Sequence, residues 1–493
     1  MKKIQLLFLT VLIPILSFAQ EKGLDQRIDE AFAPISNFVS EKVFFEIAGY
    51  PFVILLLIGS AVFFTVYFGF PNIRYFWTSI NVVRGKYDDV EKSDSDSSDG
   101  EVSHFQALAT AVSGTVGNGN IAGVALAIAL GGPGATFWMI ICGLIGMSSK
   151  FVECTLGVQY RDVGDDGTIY GGPMYYLTKG LKEKGFKTLG KVAAVFFAIF
   201  CIGGSFGGGN AAQSNQATIV LKQLLGLEST SSGAIIGLIM AILVGIIIIG
   251  GIKRIASVTE KIVPFMALLY LIACLYILLV NFSLVDDAIA LIIKEAFNPT
   301  AMGVGGFIGV LMVGFKRAAF SNEAGVGSAS IAHSAVKTKY SASEGLVALL
   351  EPFIDTVVIC TMTALVIIIF NFGGAFEYGG DGMGIVLIDG VPYEGAGITS
   401  KAFAEYIPYS GVFLTIAVVL FAVSTMISWS YYGLQSWKYL FGRGRIADLT
   451  YKLIFCMFVV IGSAASMSSI WDFSDAMIFA MVFPNMIGLF FLF

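Results

Sequence analysis

Eleven runs of about 20 mostly apolar residues succeed one another along the 493-residue chain. A helix of about 20 residues is what a hydrocarbon layer of about 30 Å requires of a span. The runs fall at about 50–70, 104–130, 134–158, 190–220, 233–250, 262–282, 301–335, 345–371, 402–432, 449–468 and 471–493. In lipid, backbone N–H and C=O groups must find partners inside the protein, and helical spans satisfy them locally. The pattern therefore predicts an all-α polytopic membrane protein with 11 transmembrane helices. Composition agrees: 56% of residues are hydrophobic, 13% are charged, and the mean hydropathy is +0.81.

A net charge of −5 gives no basis for nucleic acid as a partner. Six cysteines stand singly in apolar runs without CxxC spacing, so neither a zinc site nor a disulfide framework is indicated. The two histidines, His104 and His333, read as helix-end or loop residues with no partner cluster. Residues 1–19 read as a signal peptide ending Ser17-Phe18-Ala19, the alternative being a short uncleaved anchor. Residues 20–48 are amphipathic and are expected to lie along the outer interface, followed by an extra transmembrane helix at 49–70. The linker 71–103 contains the acidic, Ser-rich stretch DDVEKSDSDSSDGE. In the segment 371–400, glycines around an IVLID run suggest a β-hairpin, either a cap over an entrance or decoration.

With the N-terminus outside, the inner loops hold nineteen Lys and Arg and the outer segments six. The positive-inside rule therefore orients the chain N-out and C-in.

Ten spans remain after the first, five in 104–282 and five in 301–493, so the halves run through the membrane in opposite senses. Each half opens with an interrupted helix: GTVGNGNIAG at 114–123 and GFKRAAFSNEAGVGSA at 314–329. Paired interruptions at matching positions point to a secondary transporter built from inverted repeats. Backbone that leaves the helix at mid-membrane survives only where it lines a polar cavity or meets a ligand. A helix restarting near Gly119 aims free N–H groups and a positive dipole end at the gap, which suits a carboxylate. One stopping near Ser113 to Val116 offers carbonyls, which suit Na⁺ or an ammonium group. Close packing of small residues explains Gly203-Gly204 and Gly143, but not Asn118, Asn120, Lys316, Arg317 and Glu323.

Other polar residues in apolar runs are weaker signals. In GGGNAAQSNQ (207–216), Gln213 is placed to reach the gap. Ser424 and Thr425 offer adjacent oxygens for a hard cation, or bond back to the preceding helical turn. Lys150 with Glu153, at i and i+3, and Glu351 with Asp355, at i and i+4, read as gating or relay groups; for the first pair, structural pairing is an equal alternative.

The stretches GTVGNGNIAG, GGPGATFWMIICGLIG (131–146), GGPMYYL (171–177) and FKRAAFSNEAGVGSASIAH (315–333) closely resemble the alanine or glycine:cation symporter family, the sodium:alanine symporters. The resemblance runs from about residue 25 to the end. Thr136 and Ile140 depart from the family's second motif and bear on local packing alone. The resemblance implies a LeuT-like fold, a 5+5 inverted repeat plus one extra N-terminal helix, in a bacterial cytoplasmic (inner) membrane. It implies uptake of alanine or glycine, with D-alanine a further candidate, coupled to Na⁺ and needing no cofactor. By the same correspondence, Asn118 and Gly119 bind the substrate carboxylate, and Gly208, Gln213, Phe320 and Trp429 line the pocket. Carbonyls of Ser113 and Val116 join Ser424 and Thr425 around Na⁺. Asn118 stands where relatives often have Thr, so its backbone is the firmer carboxylate contact. Rival readings are the same fold driven by protons carried on Glu323, Glu351 or Asp355, and a channel or sensor. An enzyme is disfavoured, since no nucleophile–base pair suggests covalent chemistry.

Overall fold

The computed structural model describes residues 23–91, 100–165, 167–297, 306–379, 382 and 384–493. The expected signal peptide and most of the acidic stretch of the 71–103 linker lie outside these residues. Among the described residues, strands are confined to three short hairpins: β1 (Glu46–Ile47) with β2 (Tyr50–Pro51), β3 (Asp162–Val163) with β4 (Ile169–Tyr170), and β5 (Val386–Ile388) with β6 (Val391–Tyr393). The last is the hairpin that the glycine-flanked IVLID run predicts.

Among the described residues, seven helices are long and apolar enough to cross a membrane: Gly134–Gln159, Lys187–Leu225, Gly251–Val280, Ser341–Gly373, Ser410–Phe441, Arg445–Ala464 and Met467–Leu492. The pair His104–Thr115 and Gly119–Gly131, bent by 50°, makes an eighth. Phe52–Tyr67, Ser232–Ile248 and Gly306–Asn322 have 16, 17 and 17 residues, so helix length alone does not reach the expected eleven. Their outward faces are nevertheless those of lipid-facing helices: Ile235, Ile239, Ile242 and Ile246 are all exposed, while Gly237, Met240, Ala241 and Val244 face the protein.

Two span boundaries differ from expectation. The helix α9 (Gly251–Val280) takes in the predicted loop 251–261. Ile252, Ile255, Ala256 and Thr259 recur at helical spacing on the buried side, while Lys253, Arg254 and Lys261 extend outward. The predicted span 402–432 is instead two helices, α14 (Ala396–Tyr406) and α15 (Ser410–Phe441). Pro408 disfavours helix at the residue before it, and Tyr409 adopts a left-handed φ of 60°, so the chain turns between them.

The first core helix is α3 (His104–Thr115), a π-helical turn Gly119–Gly123, and α4 (Val124–Gly131). A capping box at Ser103 and Gln106 fixes its start. Helix α5 (Gly134–Gln159) packs along α10 (Gly306–Asn322) and α12 (Ser341–Ala348). Helix α6 (Lys187–Phe206) passes through a π turn Gly207–Ala211 into α7 (Ala212–Leu225) and packs on α15. The sixth core helix is α10, an irregular stretch at 323–328, and α11 (Ala329–His333). The amphipathic segment before the first span forms α1 (Leu24–Val43), which packs on α17 (Met467–Ala480). Asp25 accepts from Gly233 N and Ala234 N, both at 3.1 Å, and Asp29 accepts from Ser466 N at 2.9 Å. Two acidic residues thus cap the N-termini of Ser232–Ile248 and α17, where the helix dipole favours negative charge.

Candidate functional site

The break in the first core helix follows from where three amides turn. Gly117 N would close an α-turn on the Ser113 carbonyl, but donates to Asn120 Oδ1 at 2.8 Å. Asn118 N would close on Gly114, but donates to Gln213 Oε1 at 2.9 Å. Asn120 N would close on the Val116 carbonyl, but donates to the Gly117 carbonyl at 3.1 Å. The carbonyls of Ser113 and Val116 thereby lose their usual helical donors. Beyond the gap, Ala122 N and Gly123 N both converge on the Asn118 carbonyl, at 2.8 and 3.1 Å, and the helix resumes.

The sequence-predicted residues assemble around this gap, and all are buried. Gln213 reaches it from α7: its Nε2 donates to the Gly208 carbonyl at 2.9 Å, and its own carbonyl accepts from Asn118 Nδ2 at 3.1 Å. The π turn at Gly207–Ala211 turns Gly208 towards Gln213. Thr425 faces the gap from α15; a Cβ at Gly117 would lie 2.4 Å from Thr425 Oγ1 and 3.0 Å from Gln213 Oε1. Thr425 Oγ1 and Asn118 Oδ1 have no hydrogen-bond partner among the described residues. An oxygen buried without a partner costs about 1–3 kcal/mol, so both are set for a cation or a donor. Ser424 behaves differently: its hydroxyl bonds back to the Phe421 carbonyl at 3.0 Å, and its carbonyl accepts from Ser113 Oγ at 2.9 Å. It therefore joins α15 to the stopped half-helix α3.

The apolar walls are tight. A Cβ at Gly209 would lie 2.2 Å from Trp429 Cγ, and one at Gly208 would lie 2.3 Å from Ile478 Cδ1 and 3.4 Å from Phe320 Cε2. Phe320 stacks on Trp471 with centroids 5.0 Å apart. Gly119 presses on the other broken helix, where a Cβ would lie 3.3 Å from Ser321 Cα.

The second break uses charge. Glu323 adopts a left-handed φ of 55°, a strained conformation for a residue with a side chain, followed by Gly325 and Gly327 at φ 87° and 93°. Its carboxylate accepts from Trp429 Nε1 at 2.8 Å and from the Ser328 hydroxyl. Asp355 lies in a π-helical stretch, Phe353–Cys360, and touches both breaks. Its Oδ1 accepts from Asn120 Nδ2 at 2.7 Å and Ser321 Oγ at 3.2 Å, and its Oδ2 from Thr356 Oγ1 at 2.7 Å.

Two expected pairings are replaced, and one expected absence of partners is overturned. Lys150 pairs with Glu351 at 3.0 Å, not with Glu153, which accepts from Asn485 Nδ2 at 2.8 Å. Glu351 and Asp355 take separate partners: the first meets Lys150 and His333, the second Asn120 and Ser321. The histidines do have a partner cluster, since His104 and His333 both bond Glu344. A helical turn separates i from i+3 along one face, but helix packing brings a better-oriented partner to each group. Sequence reasoning also missed Asp475, which binds Lys316 at 2.9 Å and Arg317 more closely. The depth rule that singles out the two cations applies equally to an aspartate in the last apolar run.

The sequence profile of the Sodium:alanine symporter family matches residues 35–493. A Sodium/alanine symporter, AgcS, of Methanococcus maripaludis is 40% identical over 440 residues, covering 89% of this chain and 91% of the relative. The Bacillus subtilis protein YrbD, described as a putative sodium/proton-dependent alanine carrier, is 37% identical over 445 residues, covering 89% and 86%. Among solved structures, MhsT in complex with L-phenylalanine superposes with a TM-score of 0.54 at 14% identity, covering 79% of this chain and 89% of that one. At that identity the match bears on fold alone, which is the LeuT-like arrangement of helices around paired breaks. The chain is a multi-pass membrane transporter and belongs to the sodium:alanine symporter family.

Proposed function

We propose that the protein imports alanine or glycine by symport with Na⁺, with the site between the two broken helices alternately open to either side. The observation that carries this reading is the set of oxygens at the first break: the Ser113 and Val116 carbonyls without their helical donors, beside the unpartnered Thr425 Oγ1. Hard oxygen donors of this kind suit a monovalent cation. Sodium there joins α3 to α15 and holds the stopped half-helix in place. The substrate carboxylate takes the Asn118 and Gly119 amides, displacing the Gln213 side-chain Oε1 that now caps Asn118 N. Phe320 and Trp429 close over the α-carbon, and the close approach of Ile478 and Trp429 to Gly208 and Gly209 favours a methyl or hydrogen side chain. D-alanine is a further candidate substrate, and no cofactor takes part.

The halves 104–282 and 301–493 then act as inverted repeats, with the N-terminus outside and the C-terminus inside a bacterial cytoplasmic membrane. At about 100 mV, each Na⁺ moved inward contributes roughly 2.3 kcal/mol.

The test is uptake of labelled L-alanine into proteoliposomes under an inward Na⁺ gradient, then K⁺, at constant pH, with glycine, D-alanine and L-glutamine as competitors. Saturable uptake that needs Na⁺ and is competed by glycine is expected. Uptake indifferent to Na⁺ but driven by a pH gradient would move coupling to the carboxylates at Glu323, Glu351 and Asp355.

A further inference from the structure

A second polar assembly lies away from the breaks, where the start of α3 meets the end of α11. His104 is the first residue of α3, and His333 is the last of α11. Their Nδ1 atoms bond the two oxygens of one carboxylate, Glu344 on α12. On its other side His333 turns Nε2 towards Glu351 Oε2 at 3.6 Å, and neither atom has a hydrogen-bond partner among the described residues. Glu351 Oε1 completes the line by accepting from Lys150 Nζ at 3.0 Å. Glu344, His333, Glu351 and Lys150 are each 0% exposed, and His104 is 8% exposed at the end of the line.

The backbone around this line ties the same two half-helices together. Glu101 N donates to the Ala335 carbonyl at 2.8 Å, and Lys337 N donates to the Val102 carbonyl at 2.8 Å, giving a parallel bridge between Val102 and Val336. Arg161 reaches over it to the carbonyls of Ser334 and Val336, at 2.9 and 2.6 Å.

The charges within the line cannot balance without bound protons. Lys150 is the single permanent cation, and it faces Glu351, Glu323 and Glu153, with Cys154 beside it. Glu344 faces the two histidines. From neighbouring elements, Asp355 follows Glu351 by one turn, Glu260 on α9 takes Gln106, and Lys337 and Lys339 leave α11. Three buried carboxyls, Glu351, Glu323 and Glu153, therefore face one lysine and a fourth, Glu344, faces the histidines, and an unneutralised buried carboxylate is too costly to stand. Histidine is the side chain that takes up and releases a proton near neutral pH.

The geometry points to His104, Glu344, His333 and Glu351 as a proton-binding latch that holds the start of the first core helix to the end of the sixth. Protonated imidazoles hold the shared Glu344 carboxylate by charge-assisted bonds. Loss of those protons leaves Glu351 with Lys150 and strips Glu344 of its charged partners, which releases α3 and opens the end that carries the 71–103 loop. The direction follows: the latch is closed in acid and loosens as pH rises past the histidine range, about 6.5 for an unperturbed imidazole. On the orientation proposed above, that end faces the cytoplasm, and transport slows when the cytoplasm is acid.

The latch is tested without any transport measurement, so its outcome is separate from that of the alanine reading. Amide hydrogen exchange of the full chain in nanodiscs is followed over pH 5.5 to 8.5, corrected for the intrinsic exchange rate. Opening of residues 100–108 and 333–339 is expected to rise as pH rises, by about tenfold per pH unit for each proton released, while residues 232–248 stay level. The double variant His104→Gln/His333→Gln is expected to lose the pH slope. Opening of wild-type 100–108 that does not change with pH overturns the proposal, whether or not the variant folds. A folded double variant that keeps the wild-type slope overturns it as well.

Discussion

The two helix breaks face each other across the site but are closed by different chemistry. At the first, Gly117 N and Asn118 N are capped by neutral amides, Asn120 and Gln213. At the second, Glu323 is held by Trp429 and Ser328, and just upstream Lys316 and Arg317 share Asp475. A neutral amide can be exchanged for a ligand carboxylate at small net cost, because one hydrogen bond replaces another. A buried ion pair cannot be exchanged so cheaply, since parting it leaves a charge without a partner. The first break is therefore the adaptable side of the site and the second its fixed side.

Asp475→Ala tests the fixed side and carries the largest expected effect. It strands Arg317, which is 4% exposed, together with Lys316, and should cost about 3–5 kcal/mol in thermal or denaturant unfolding. A loss below about 1 kcal/mol would erase the contrast between the two breaks.

Thr425→Val tests the adaptable side. The substitution keeps shape and removes a buried, unpartnered hydroxyl, so stability should rise by about 1–3 kcal/mol, not fall. The Na⁺ concentration giving half-maximal uptake should rise about tenfold or more, since one lost ligand is worth at least about 1.4 kcal/mol. Unchanged Na⁺ dependence would remove Thr425 from the cation site.

The smallest effect belongs to a loop outside the spans. Arg443 bonds Asp162 at 2.7 Å and lies over the Tyr170 ring at 3.7 Å. The Arg443 hydrogen bond, aided by Lys179 against partial burial, holds the Asp162 carboxyl below the usual carboxylate range. A lowered carboxyl contributes stability above its unfolded value, about 3.9, and loses it as pH falls through its folded value. Arg443→Ala should therefore cost under about 1 kcal/mol at pH 7, because both side chains are well solvated. The difference from wild type should shrink as the pH of the unfolding experiment falls below about 3.9.

Much of the site was legible because membrane burial makes polar residues conspicuous. Asn118, Asn120, Gln213 and Glu323 stand out against apolar neighbours, and all of them meet the breaks. Pairings were legible only where neighbours along one helix are the true partners, and here they are not: Lys150 passes over Glu153 for Glu351, 201 positions away. His104 and Glu344 are separated by 240 positions, and nothing local to either marks the other. Helix edges differ from expectation where charges lie on one face of a helix whose other face is buried, as at 251–261.

What the amino-acid order determines alone is the class of fold and the places where helices must fail. Apolar runs of bilayer length leave no alternative to spanning helices, and Gly-Asn and Asn-Glu-Ala-Gly stretches inside them cannot stay regular. What only tertiary structure decides is which polar group answers which. Packing selects Gln213 for Asn118, Asp355 for Asn120 and Glu344 for both histidines. The reason is physical: in a medium without water, a buried polar atom takes whichever partner the helix packing brings within hydrogen-bond distance, and sequence separation does not enter that choice.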